Sequence, residues 1–221
     1  MKNSAFLCLF ITVNLVSVAQ WSTLNIPSAG RYDDVFFIDD KTGWAAGGNS
    51  YEIYNTTDGG NTWSLQTNTG KYLRSIEFAT PTLGFCGSLD SSFYKTTDGG
   101  KTWTDIAQTI NPIPPGICGL SAPTENVIYG CGIWSSPAFV IKSADGGNTW
   151  QTFDLSAYAS ALVEIDFINT DTGYVCGMAN PTKDGGIILY TENGGTTWTV
   201  KHKTNVWNDY IWKFQRLDSL H

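Results

Sequence analysis

The 221 residues are 42% hydrophobic and only 15% charged, enough apolar material to bury a substantial core and too little charge for a disordered chain. Acids outnumber bases 20 to 13, a net charge of −7, so the surface repels phosphate backbones and anionic lipid, which disfavours nucleic acid and membrane surfaces as partners. Aromatic residues at 14% and 23 glycines combine strand formers with turn formers, the mixture of an all-β domain.

Residues 1–19 read as a secretory signal peptide. Lys2 supplies the positive start, Ala5 to Val18 an apolar stretch, and Ser17-Val18-Ala19 a small-x-small cleavage site before Gln20. The apolar stretch is short for a bilayer span. The expectation is a secreted, periplasmic or cell-surface protein with no membrane insertion once the leader is removed.

From Gln20 onward the chain repeats itself. "TTDGGNTW" at Thr56, "TTDGGKTW" at Thr96, "SADGGNTW" at Ser143 and "TENGGTTW" at Thr191 place Asp58, Asp98, Asp145 and Asn193 at intervals of 40 to 48 residues. A second motif keeps step: "FIDDKTGWAAG" at Phe37, "FATPTLGFCG" at Phe78 and "FINTDTGYVCG" at Phe167, with a weaker copy from Leu120. In the first unit "DDVFFID", "WAAGG", "YEIYNTT" and "TWSLQT" alternate strand residues with turn chemistry. Four short antiparallel strands recurring at this period predict β-propeller blades, each needing neighbours to cover its faces.

The predicted blades run 31–69, 70–112, 113–157 and 158–204, with residues 205–221 opening a fifth in which Phe214 matches Phe167. "QWSTLNI", at the other end of the 20–221 repeat domain, resembles a fourth strand. This count predicts four full blades plus partial terminal strands, as in a truncated larger propeller; a five-bladed ring with one thin blade is the alternative.

The octapeptide is expected to be a structural corner. Gly60, Gly100, Gly147 and Gly195 permit a tight turn. The Asp58, Asp98 and Asp145 carboxylates accept hydrogen bonds from their own turns, and Trp63, Trp103, Trp150 and Trp198 supply large apolar surfaces. Asn193 keeps the acceptor but lacks the charge, an exchange that a catalytic carboxylate would not survive easily.

The pattern Ser/Thr-x-Asp-x-Gly-x-Thr-Trp resembles the Asp-box of bacterial neuraminidase repeats, which occurs in sialidases, xyloglucan-cleaving glycosidases and sortilin-type receptors. With the Phe-x5-Gly-aromatic companion, the chain over about residues 30–218 looks most like the photosystem II stability and assembly factor repeat family and its exported bacterial relatives. The resemblance implies a propeller whose boxes are peripheral turns, and an exported non-catalytic binding or assembly module for a protein or glycan ligand. A glycoside hydrolase of the sialidase or xyloglucanase type is the alternative.

Turns one-to-two and three-to-four have constant lengths, whereas strand two-to-three and blade-to-blade loops vary. Those variable loops share the opposite face, where recognition is expected. They contain "NPIPPG" at Asn111 and "GIWSSPAF" around Trp134, and Trp134, Tyr158, Lys183 and Trp207 are the candidate ligand-face residues. Ordinary loop drift is the plainer reading.

No catalytic residue is assigned. Asp33, Asp34, Glu164, Asp166 and Asp209 lie at or near first strands, where paired carboxylates could hydrolyse a glycoside, but no spacing singles out a pair. Arg31, Arg74 and Arg216 read as surface arginines. His202 and His221 are the only histidines, and no cluster has metal-ligand spacing, so neither a metal nor a cofactor is expected. Cys118 and Cys131 flank a short turn and could form a disulfide in an oxidising compartment; buried core thiols are the equal alternative.

Overall fold

The computed structural model describes Ile26 and residues 30–132, 137–181 and 184–215. Residues 1–19, the expected leader, lie outside them. Among the described residues, sixteen strands form four antiparallel sheets, each a meander in chain order. The first sheet holds β1 (Tyr32–Phe37), β2 (Gly43–Gly47), β3 (Glu52–Thr56) and β4 (Ser64–Asn68). The second holds β5 (Leu73–Phe78), β6 (Gly84–Ser88), β7 (Phe93–Thr96) and β8 (Thr104–Asp105). The third holds β9 (Gly119–Ser121), β10 (Ile128–Gly132), β11 (Phe139–Ser143) and β12 (Gln151–Asp154). The fourth holds β13 (Ala159–Phe167), β14 (Gly173–Ala179), β15 (Gly186–Thr191) and β16 (Thr199–Lys203). The first strands β1, β5, β9 and β13 lie side by side in that order. The sheets are therefore propeller blades arranged about an axis lined by first strands.

The two sequence motifs meet where blades pack. Phe78 of β5 lies flat on Trp44 of the preceding blade, ring centroids 3.5 Å apart, with the edge of its own box residue Trp103 at 5.9 Å. Phe167 of β13 repeats the arrangement with Tyr129 at 3.5 Å and Trp198 at 6.2 Å. The glycine six residues after each Phe is needed because the ring lies over it: a Cβ on Gly84 or Gly173 would come within 2.5 Å of Phe78 or Phe167. These flat and edge-on pairs add roughly 0.5–1.5 kcal/mol each beyond the area they bury.

In the third blade, Ser121 stands opposite Tyr129 as Phe36 stands opposite Trp44. That register puts Ala122, not Leu120, in the Phe position and Ile128 in the Gly position. The bulk has moved across the strand pair, and the interface with the second blade is filled by Phe85, Phe93, Leu120 and Ile128.

Among the described residues, 205–215 contain no strand, in contrast to the expected opening of a fifth blade. Phe214 nevertheless meets Tyr174 edge-on at 6.3 Å, Ile211 donates its N–H to the Gly177 carbonyl at 3.2 Å, and Lys213 reaches both Asp34 and Glu164. The tail thus lies at the axis between β13 and β1. Among the described residues no helix is long and apolar enough to cross a membrane.

The cysteines correct one expectation. Cys118 and Cys131 are buried thiols rather than a disulfide. Cys131 pairs with Gly119, so alternation along the strand sends the Cys118 side chain to the other face of the sheet. Their link is between backbones, Cys118 N–H to Cys131 carbonyl at 2.7 Å.

Candidate functional site

The octapeptide turns are built alike in all four blades. Thr56 donates to Asp58 Oδ1 at 2.8 Å and accepts from the Gly60 N–H at 2.9 Å, while Asp58 accepts the Thr62 N–H at 2.8 Å and the Thr62 hydroxyl at 2.6 Å. Asp98 and Asp145 repeat these bonds through Thr102 and Thr149. The Thr102 hydroxyl and N–H, with the Thr96 hydroxyl, pull the Asp98 carboxyl down to about 2. Asn193 keeps its oxygen on the Thr197 N–H at 2.9 Å and turns its amide nitrogen onto the Thr197 hydroxyl at 2.8 Å, so the hydroxyl's role reverses. A second tie fixes each corner: Gly59, Gly99, Gly146 and Gly194 donate to the carbonyls of Lys41, Thr82, Asn126 and Asp171, all in one-to-two turns. Both turn classes therefore share one face, and the Asp or Asn of each box is engaged by the hydroxyls and backbone of its own corner.

The opposite face carries the variable loops. There the linker Asn111–Pro115 and the start of β11 enclose a pocket of about 480 Å³ whose walls include Pro112, Ile113, Pro114, Pro137, Phe139 and Ile141, with Thr152 and Asp154 at its polar side. The walls are stiff, because four prolines line them and proline fixes φ. Candidate residues Trp134 and Lys183 lie outside the described residues. Tyr158 is not in this pocket: it borders a separate groove with Phe153 and Trp198 between the third and fourth blades. Trp207 is exposed in the tail. Three of the pocket's prolines come from "NPIPPG", the signal that was legible in sequence.

The axis holds the acids. Asp34 Oδ2 accepts the Ile76 N–H at 3.0 Å, Glu77 Oε1 the Ala122 N–H at 3.4 Å, and Ser121 Oγ the Phe167 N–H at 3.0 Å. Each first strand thus uses a polar side chain to satisfy a backbone donor of the next. Glu164 on β13 instead meets Lys213 Nζ at 3.2 Å, and Lys213 stands 3.7 Å from Asp34. Burial pushes the Glu77 carboxyl up to about 8, opposed by the Ala122 N–H and reinforced by Asp34, Asp166 and Glu164. Burial also raises Asp34 and Glu164, with Lys213 pulling both down.

Glu77 was not singled out from sequence, because a lone acid in "LRSIEF" looks like a solvated strand residue. Asp33 is fully buried against Arg31 at 2.6 Å and Arg74 at 3.4 Å. Arg74 is mostly buried there rather than a surface residue, and Arg216 lies outside the described residues. Asp209 sits in a tail turn.

A carboxyl held near 8 beside other acids is what a general acid requires. The available space is not what a sugar requires: the cavity between Asp34, Arg74, Glu164, Trp212 and Lys213 is about 60 Å³, room for roughly two waters. Among the described residues no group of three His, Cys, Asp or Glu is placed to hold a metal.

The family model for the photosynthesis system II assembly factor YCF48 matches residues 13–116 and 64–206. The chain belongs to this YCF48 family. No curated protein sequence matches the chain. Among solved structures, YCF48 from Cyanidioschyzon merolae superposes with a TM-score of 0.62 at 19% identity, covering 82% of this chain and 59% of that one. An ancestral GH74 enzyme gives 0.63 at 20% identity, covering 82% of this chain and 25% of the enzyme. A structure of YCF48 bound to D1 peptide gives 0.50 at 19% identity, covering 64% and 43%. The likeness is of fold, and the YCF48-family chain described here spans between a quarter and three-fifths of the length of these structures.

Proposed function

We propose that this YCF48-family chain is an exported, non-catalytic module that binds an extended segment of a partner protein on its loop-bearing face. The observation that carries the reading is the stiff apolar pocket between "NPIPPG" and β11. A preformed apolar cavity with a few polar groups at one side is the usual form of a recognition site, and rigid walls lose little entropy on binding. The peptide-bound YCF48 structure supports peptide binding as a use of this family's fold, and the leader-like segment 1–19 supports export. A glycan ligand fits less well, since sugar sites favour flat aromatic platforms and the described walls are mostly proline and aliphatic, with Phe139, itself only 5% exposed, as their aromatic.

Panning a phage-displayed library of random peptides against the chain tests this. Enriched peptides should lose at least tenfold in affinity for the Ile113→Lys variant, in which an exposed wall residue becomes charged. Peptides that bind the variant as well as the parent would refute the pocket.

Hydrolysis of glycosides is the second reading, favoured by the raised Glu77 carboxyl in the axial cluster. The 60 Å³ cavity and the use of Asp34 and Glu77 as backbone acceptors weigh against it. Turnover of aryl glycosides by the parent but not by Glu77→Gln would reverse that judgement.

A further inference from the structure

The blade interfaces inside the molecule define what one of its outer faces lacks. At the position of Val35, the other first strands have Ile76, Leu120 and Ile165, exposed by 1%, 7% and 1%; Val35 is 55% exposed. Phe78 and Phe167 are 3% exposed, and Phe37 is 40%. Phe37 has its own box edge, Trp63 at 6.0 Å, and its own glycine, Gly43, beneath the ring. Among the described residues no ring is stacked on it as Trp44 is on Phe78. Leu65, on the same face opposite Tyr54, is 54% exposed. Ile26 packs against Ala45, Tyr54 and Trp63, while Val35, Phe37 and Leu65 stay exposed.

The missing half of that interface is present on the fourth blade. Tyr174 occupies the register position of Trp44, Phe85 and Tyr129, each opposite the residue before the Phe position. Tyr190 occupies the position of Lys95 and Lys142, which donate to Asn148 and to the Gly194 carbonyl in the next blade's box turn. Tyr190 donates instead to Glu192 of its own blade. Tyr174 meets Phe214 edge-on at 6.3 Å rather than in the 3.5 Å stack seen between the first and second and between the third and fourth blades.

We propose that the open face of the first blade is the docking surface for the fourth blade of a second copy of this chain, with the partner's Tyr174 stacking on Phe37. The second copy is the occupant because the fourth blade offers the required aromatic in the required register. Phe37 then displaces Phe214 from Tyr174, and Tyr190 is free to reach the first blade's box turn. Such a contact is heterologous: each copy has one unlike half at either end, so association closes a ring or continues as a chain.

Light scattering after size exclusion tests the proposal over a hundredfold range of concentration. The full chain should rise to at least twice the monomer mass. Val35→Lys and Tyr174→Glu, each charging one half, should remain monomeric, and an equimolar mixture of the two should return to twice the monomer mass and go no higher, since only one intact interface can form. Leu65→Lys, at an exposed site, gives a second monomeric variant should Val35→Lys fold poorly. A parent that stays monomeric throughout the range overturns the proposal. So does a mixture that fails to recover the dimer, or a Leu65→Lys chain that assembles as the parent does.

Discussion

Replacing Glu77 by Gln should make the protein more stable at neutral and alkaline pH and leave it unchanged near pH 4.5. The amide keeps an oxygen for the Ala122 N–H and removes only the ability to ionise. Glu77 has its ordinary value of 4.5 in the unfolded chain and about 8 in the fold, so the native state binds the extra proton between those limits. Unfolding free energy therefore falls as pH rises from 4.5 to 8 and is flat above, the reverse of the usual carboxylate case. At 1.36 kcal/mol per pH unit the ceiling is about 5 kcal/mol; water at the cluster's rim lowers it. Urea unfolding midpoints measured every half unit from pH 4.5 to 9 provide the assay. The parent should lose stability across this range with a much steeper slope than Glu77→Gln. Equal slopes would show that the axial acids are solvated and that the inter-blade staple is not buried.

The interface swap seen in the third blade can be written into the second. Phe78→Ala alone should cost about 3–5 kcal/mol, and Gly84→Ile alone about 1–3 kcal/mol or more through the clash with the Phe78 ring. The double variant copies Ala122 and Ile128 and should recover roughly 0.5–3 kcal/mol of the sum in a double-mutant cycle, whereas strict additivity would contradict the packing. At the box, Asp98→Asn should melt close to the parent because Asn193 already works in the fourth blade, and Asp98→Ala should melt clearly lower by calorimetry. The carboxyl is held below its ordinary 3.8 at about 2, so its contribution is complete above pH 4 and lost as pH falls towards 2; the Asn variant should lack that acid-limb step. Lys213→Gln should speed proteolytic trimming of the tail while leaving the blades' melting temperature within about a degree, since an exposed pair is worth only about 0–1 kcal/mol.

The blades were legible because each needs two constant-length turns, and those turns carry residues that do little else. Asp58 and its Thr partners fix one turn, and Phe37 with Gly43 fixes the other. The reason for the glycine was less visible. It reads as turn chemistry, whereas in the fold it makes room for a ring from the neighbouring strand. The same packing rule hid the third blade's register: the volume carried by Phe and Gly elsewhere is carried by Ala122 and Ile128, so a search for Phe settles on Leu120, two residues early. Volume across a strand pair was preserved while identity at each position was not. For Cys118 and Cys131, nearness along a predicted hairpin suggested a bond, but a one-residue offset put the thiols on opposite faces.

The candidate sites divide along the same line. Proline stiffness is a property of the residues themselves, so the pocket wall at Asn111–Pro115 could be found from sequence. The axial cluster depends on three first strands meeting: the Glu77 carboxyl is raised first by the burial that the neighbouring blades impose and then by Asp34, Asp166 and Glu164. That dependence also weighs against the cluster as a catalytic centre, in keeping with the proposed binding role. An acid placed at a first strand's leading face is already committed to the next strand's backbone, and at the last described blade the commitment is taken over by Lys213. For catalysis, the fold would have to release one of these acids and open a volume for substrate, and either change would unfasten two blades at the point where they converge. A peptide on the loop-bearing face asks for neither: the loops there can change sequence and length without disturbing a box, a stacked ring or an axial staple.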